Sequence, residues 1–217
     1  IVLPKNIRHM IIQYWAKRLL RILKIKITLS GEVLKFLGKD SYLVVSNHIS
    51  WLDIPVIFSL KPMTFVSASD VKTWPIIGML AKISGAIFVE RNRKSSLVEV
   101  IQAMNHHFKN EKRSICIFPE GVTSNGYQVL PFKSNLFQSA FESNVLLLPL
   151  SIKYKENNVL TNRTSFHGST TLFQSFKRVA KSNLIEVVVD IGRPIKPSQS
   201  RKDLSLKIQE VIALKIN

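Results

Sequence analysis

The sequence predicts an α/β fold: a mostly parallel central sheet flanked by helices, with a basic amphipathic helix at the N-terminus. Three observations carry this. Short β-rich runs alternate with helix-length stretches along most of the 217 residues. Several runs, such as Ile115-Cys116-Ile117-Phe118 and Leu146-Leu147-Leu148, are continuously apolar, as strands covered on both faces are. The chain is 46% hydrophobic and has no Gly-, Ser- or Pro-rich linker, so one domain with a sizeable core is the simplest organisation.

Over residues 5–24, Ile7, Ile11, Ile12, Trp15, Leu19, Leu20 and Leu23 recur at three- and four-residue steps. Lys5, Arg8, Lys17, Arg18, Arg21 and Lys24 fill other positions, which makes this the basic amphipathic helix. It has two compatible readings, a surface helix docked on the core or an interfacial anchor with Tyr14 and Trp15 at headgroup level. The expected division is 1–24 as the membrane-associating helix and 25–217 as the α/β domain. Strands are expected at 25–29, 42–46, 63–67, 86–89, 114–118, 146–152 and 185–191. Helices are expected at 53–60, 75–83, 95–110, 133–142 and 204–214, with the polar stretches 155–169 and 194–200 as loops.

Thirty-one Lys and Arg against 14 Asp and Glu give a formal charge of +17, which calls for an anionic partner. Nucleic acid, an anionic membrane face and phosphorylated substrates all qualify. A mean hydropathy of +0.12 shifts the weight toward the membrane surface. No apolar run reaches the roughly 18 residues that a spanning helix needs. The nearest, 74–89, contains Lys82, Ser84 and two glycines. The expectation is a chain lying on the cytoplasmic face of the cell membrane, peripherally or anchored through a segment preceding Ile1. The single cysteine, Cys116, excludes an internal disulfide.

The chemistry begins at Ser46-Asn47-His48-Ile49-Ser50-Trp51-Leu52-Asp53, directly after an expected buried strand. Ligands of α/β sheets bind in the crevice beyond the carboxyl ends of the strands. There a neutral imidazole can take a proton from a hydroxyl while a carboxylate on its other nitrogen fixes the tautomer. His48 and Asp53 supply those parts, although a polar strand end followed by a helix-capping residue would look the same. Phe118-Pro119-Glu120-Gly121 follows a second buried strand and reads either as part of the same crevice or as a turn. Arg91 follows a third strand, where a guanidinium can bind phosphate in bidentate fashion.

In order and approximate spacing, His48-x4-Asp53, Gly85 to Arg91, Phe118-Pro119-Glu120-Gly121 and the run ending Leu148-Pro149-Leu150 resemble the four motif blocks of the glycerophospholipid acyltransferases. The family is typified by 1-acylglycerol-3-phosphate acyltransferases, and the match spans about half the chain, which would make 25–217 an acyltransferase domain. The resemblance implies transfer of a fatty acyl group from acyl-CoA or acyl carrier protein to the free hydroxyl of a lysolipid, without metal or other cofactor. His48 would be the general base and Asp53 its orienter, with Arg91, Glu120 and Gly121 in the acceptor site. Lys72 and Lys133 would add positive charge for a phosphate. The leading expectation is 1-acylglycerol-3-phosphate as acceptor, giving phosphatidic acid. Two departures keep lyso-ornithine lipid as an alternative. Much of the family has an arginine two residues after the glycine, to help hold the acceptor phosphate, where this chain has Thr123. The later Pro-Phe-Lys-x-Gly pattern appears as Pro131-Phe132-Lys133-Ser134-Asn135, without its glycine.

Other readings explain less. A serine hydrolase needs a Gly-x-Ser-x-Gly elbow, which is absent. Gly121 and Gly126 have phosphate-loop spacing, but Tyr127-Gln128 stands where Lys-Ser/Thr is required. His106, His107 and Cys116 lack zinc-ligand spacing. A basic membrane- or nucleic-acid-binding module would account for the charge and leave the four blocks unexplained; no nucleic-acid partner is expected.

Overall fold

The computed structural model describes residues 4–74, 77–90, 93–198 and 200–216. Strands β1 (Ile25–Gly31), β2 (Leu43–Ser46), β3 (Thr64–Ala68), β4 (Ile87–Val89), β5 (Ile115–Ile117), β6 (Leu147–Glu156), β7 (Val159–Leu160) and β8 (Ile185–Ile191) form one sheet. Its order is β1-β8-β6-β2-β5-β3-β4, with β7 as a hairpin partner of β6. From β6 to β4 every neighbour is parallel, whereas β8 runs antiparallel to β6 and carries β1 parallel to itself. The expected mostly parallel sheet is present, and its antiparallel edge is the part that periodicity does not reveal.

The all-buried strands β2 and β5 explain the continuous apolar runs. Along β2, Val44 faces one core cluster while Leu43 and Val45 face the other, as the two-residue period of a strand requires. The helices are α1 (Lys5–Ile22), α2 (Val33–Leu37), α3 (Asp53–Leu60), α4 (Ile77–Ser84), α5 (Lys94–Glu111), α6 (Gln138–Ser143), α7 (Leu172–Ala180) and α8 (Arg201–Ala213). The expected 133–142 helix starts late, as a 3₁₀ turn at Asn135–Phe137 followed by α6. The short α2 and the capped α7 were not expected. The expected loop over 155–169 is partly hairpin. Asn157 and Asn158 both adopt positive φ between Glu156 and Val159, the signature of a type I′ turn.

Helix α1 shares the core. Ile12, Ala16, Leu20 and Leu23 are buried, Trp15 and Leu19 pack against the same cluster, and the helix lies on α3 and α4. Burying a Leu or Ile contributes about 1.5–3 kcal/mol, so the docked face is a substantial part of the fold. His9 Nε2 contacts the Ser84 carbonyl at 3.1 Å and Gln13 donates to the Ser59 carbonyl at 3.1 Å. The other face carries exposed Ile7, Met10, Ile11, Tyr14 and Ile22 among Lys17, Arg18 and Arg21, beside exposed Met79 and Ile83 of α4. Trp15 therefore turns inward and only Tyr14 outward. Among the described residues no helix is long and apolar enough to cross a membrane.

Candidate active site

Parallel strands place their carboxyl ends on one side, and here β2, β3, β4 and β5 all deliver their following loops to one cleft of about 800 Å³. Its wall includes His48 after β2, Asp70 and Trp74 after β3, Glu90 after β4, and Phe118, Gly121 and Thr123 after β5.

His48 is held from every side. Its Nδ1 lies 2.7 Å from Asp53 Oδ2, and its ring stacks on Phe118 at a centroid distance of 4.1 Å. Its backbone N–H donates to Glu120 Oε1 at 2.8 Å and its carbonyl accepts from the Ser124 N–H at 2.8 Å. With Nδ1 committed to Asp53, Nε2 is the ring nitrogen left to the cleft. Asp53 is fully buried at the first turn of α3, where the helix dipole favours a negative charge. Besides His48, its Oδ2 accepts from the N–H groups of Ile49 (2.7 Å) and Ser50 (2.9 Å), while Oδ1 accepts from the Tyr154 hydroxyl at 2.7 Å. The five-residue spacing works because the chain turns tightly at Ile49–Leu52 and brings those amides onto the carboxylate. Asn47 secures the turn by exchanging two hydrogen bonds with the backbone of Ile152 on β6.

Glu120 stands apart from the other site residues of the β5 loop. It is buried, lies off the cleft wall, and spends Oε1 on His48 and Oε2 on the Leu130 N–H at 3.2 Å. Burial pushes its pKa up to about 8, against the two backbone donors that pull it down. The residue braces the His48 loop. Gly121 does line the cleft, at φ +72, and a Cβ there would stand 3.0 Å from Lys133 Nζ. Lys133 lines the cleft too, with its backbone tied to the Pro119 carbonyl at 2.9 Å. Lys72 does not, because its ammonium sits over the Phe88 ring at 4.7 Å. Arg91 lies outside the described residues. Trp51 is buried, donates to Ser175 Oγ at 3.1 Å, and borders both the cleft and an adjoining apolar recess between α1, α3 and α4. Cys116 is buried in β5, and burial raises its thiol pKa well above the usual range.

Sequence reasoning missed two contributors. Tyr154 has no motif signal beyond its place in an apolar strand. The segment 161–170, most of it within the expected 155–169 loop, places Phe166, His167, Gly168 and Thr170 on the cleft wall. It is fixed there by the Phe166 N–H on the Ile49 carbonyl at 2.9 Å and by the Thr123 hydroxyl on the Phe166 carbonyl.

A cleft at the strand ends of an α/β sheet, entered by an imidazole backed by a buried carboxylate, is suited to general-base transfer onto an incoming hydroxyl. The chain belongs to the acyltransferase family, whose model, described as Acyltransferase, matches residues 24–153. It is 32% identical over 211 residues to the lyso-ornithine lipid O-acyltransferase of Pseudomonas aeruginosa, covering 96% of this chain and 79% of that one. It is 28% identical over 175 residues to a 1-acyl-sn-glycerol-3-phosphate acyltransferase of Neisseria gonorrhoeae, covering 80% and 68%. The fold resembles the crystal structure of the 1-acyl-sn-glycerophosphate acyltransferase PlsC from Thermotoga maritima, with a TM-score of 0.68 at 22% identity over 96% of this chain and 78% of that one.

Proposed function

We propose that this acyltransferase moves a fatty acyl group from a thioester, acyl-CoA or acyl carrier protein, to the free hydroxyl of a lysolipid at an anionic membrane surface. The observation that carries the reading is the 2.7 Å contact between His48 Nδ1 and the buried, fully bonded Asp53. His48 Nε2 takes the proton as the acceptor oxygen attacks the thioester carbonyl. The new C–O bond replaces the C–S bond, and the thiolate leaves and recovers the proton from the imidazolium. Direct transfer suits the site because a thiolate, with its pKa far below that of an alkoxide, is a good leaving group. Asp53 orients the ring and stabilises the imidazolium.

Two acceptors have support. Lys133 beside Gly121 favours an anionic headgroup, as in 1-acylglycerol-3-phosphate. The commitment of the Thr123 hydroxyl to Phe166 favours a lysolipid that does not rely on a phosphate-binding side chain at 123, as in lyso-ornithine lipid. The outward apolar stripe of α1, with its basic neighbours and the exposed Met79 and Ile83, supports a membrane-facing surface.

Purified protein given a radiolabelled lysolipid panel with both donor types tests the reading. His48→Ala and Asp53→Ala should each lose about 10²–10⁴-fold in kcat, and substantial turnover by both would sink the mechanism.

A further inference from the structure

Segment 161–170 lies beyond the residues matched by the family model, yet it is fastened to the loop that carries His48. The Phe166 N–H donates to the Ile49 carbonyl at 2.9 Å, Ser165 Oγ donates to the Ser124 carbonyl at 3.0 Å, and Arg178 donates to the carbonyls of Arg163 (2.7 Å) and Ser165. Thr164 and Ser165 are buried, whereas His167 is exposed on the cleft wall.

The tautomer of His167 follows from its neighbour. A serine hydroxyl has one proton; with that of Ser165 assigned to the Ser124 carbonyl at 3.0 Å, the ring is the donor in the 2.6 Å contact between Ser165 Oγ and His167 Nδ1. The proton on Nδ1 leaves Nε2 an acceptor, and among the described residues nothing else hydrogen-bonds to it. On the same wall Phe166 meets Trp74 edge to face at 5.4 Å, and Asp70 lies on the 3₁₀ turn that ends just before Trp74. An imidazole acceptor, an aromatic pair and a carboxylate are groups that receive a cation. Of the cations described on the cleft wall, Arg93 is paired with Glu90 and Glu99, and Lys133 stands beside Gly121.

Building on the lysolipid acyltransferase reading, we infer that segment 165–170 forms the headgroup subsite and that His167 Nε2 accepts a hydrogen bond from an ammonium group of the acceptor. The preferred acceptor is then an amine-bearing, zwitterionic lysolipid rather than a bare phosphomonoester, with Lys133 receiving its anionic group. That anion is a carboxylate in lyso-ornithine lipid and a phosphodiester in lysophosphatidylethanolamine, and both belong in the test.

The experiment compares kcat/KM of the wild type, His167→Ala and His167→Gln for those two lysolipids and for 1-acylglycerol-3-phosphate. The quantity read is the ratio of amine-bearing to phosphomonoester acceptor, which does not depend on the folded fraction of a variant. We expect acylation of at least one amine-bearing lysolipid. His167→Ala should lower the ratio about tenfold, the scale of one lost hydrogen bond to a charged group, and His167→Gln should recover part of it because its amide oxygen accepts. An unchanged ratio in His167→Ala, or a wild type that acylates only the phosphomonoester, overturns the subsite while leaving the acyltransferase reading intact. A wild type that acylates none of the three overturns both.

Discussion

The Tyr154 hydroxyl donates a 2.7 Å hydrogen bond to Oδ1 of Asp53, the oxygen that His48 does not use. Both residues are buried, and burial together with the neighbouring carboxylate raises the tyrosine pKa well above its ordinary value, so the phenol stays protonated and donating. The bond ties β6 to the first turn of α3 and fixes the second oxygen of the carboxylate that orients the His48 ring.

Replacing Tyr154 with Phe removes that donor and little volume. We expect a stability loss of about 1.5–3 kcal/mol, as for other hydrogen bonds to charged groups. Asp53 would keep more of its charge for the imidazolium, so the acid limb of the kcat/KM profile should move to higher pH. A lower melting temperature with an unmoved acid limb would leave Tyr154 as a support of the fold only.

Glu120 makes stability depend on pH. Its pKa rises from the ordinary 4.5 to about 8 in the folded protein because burial penalises the carboxylate. The folded state therefore holds a proton that the unfolded state has released, and the resulting stability is fully present below about pH 4.5 and lost as pH rises through about 8. Relative to Glu120→Gln, the wild type should lose on the order of 1 kcal/mol per pH unit between those limits. Urea unfolding at pH 5, 6, 7 and 8 measures this, and parallel trends for the two proteins would refute it.

Gly121 and Lys133 can be separated by kinetics. A Cβ at Gly121 combines a left-handed backbone with a 3.0 Å approach to Lys133 Nζ, so Gly121→Ala should cost about 1 kcal/mol and displace the ammonium. Lys133→Ala should raise KM for acceptors with an anionic headgroup without the stability loss. Equal KM values in the wild type and both variants would remove Lys133 from the site.

For α1, the two faces predict different outcomes. Neutralising Arg18, Arg21 and Lys24, or replacing exposed Ile11 and Tyr14 with Ser, should weaken binding to anionic liposomes and leave the melting temperature nearly unchanged. Replacing buried Leu20 with Ala should instead lower stability by about 2–5 kcal/mol. Liposome binding that ignores both salt and the surface changes would make α1 a docked helix alone.

The α/β class and most of the elements are legible in the residues alone, whereas the pairing of His48 with Asp53 is legible only through the family resemblance of the four blocks. The first two rest on local signals, apolar runs for strands buried on both faces and three- and four-residue steps for helices, while the tight turn that brings the Asp53 carboxylate back to the imidazole is seen only in the fold. The antiparallel edge made by β8, the inward turn of Trp15, the bracing role of Glu120, the removal of Lys72 to Phe88, and the recruitment of Tyr154 and His167 were decided only by tertiary structure. Each depends on residues far apart in the chain meeting across the sheet or over the cleft. Tyr154 is 101 positions from Asp53, and the Phe166 carbonyl is 43 positions from Thr123. No periodicity or spacing encodes such meetings, because they exist only once strand order and loop paths have fixed which backbone donors and acceptors are left to be satisfied.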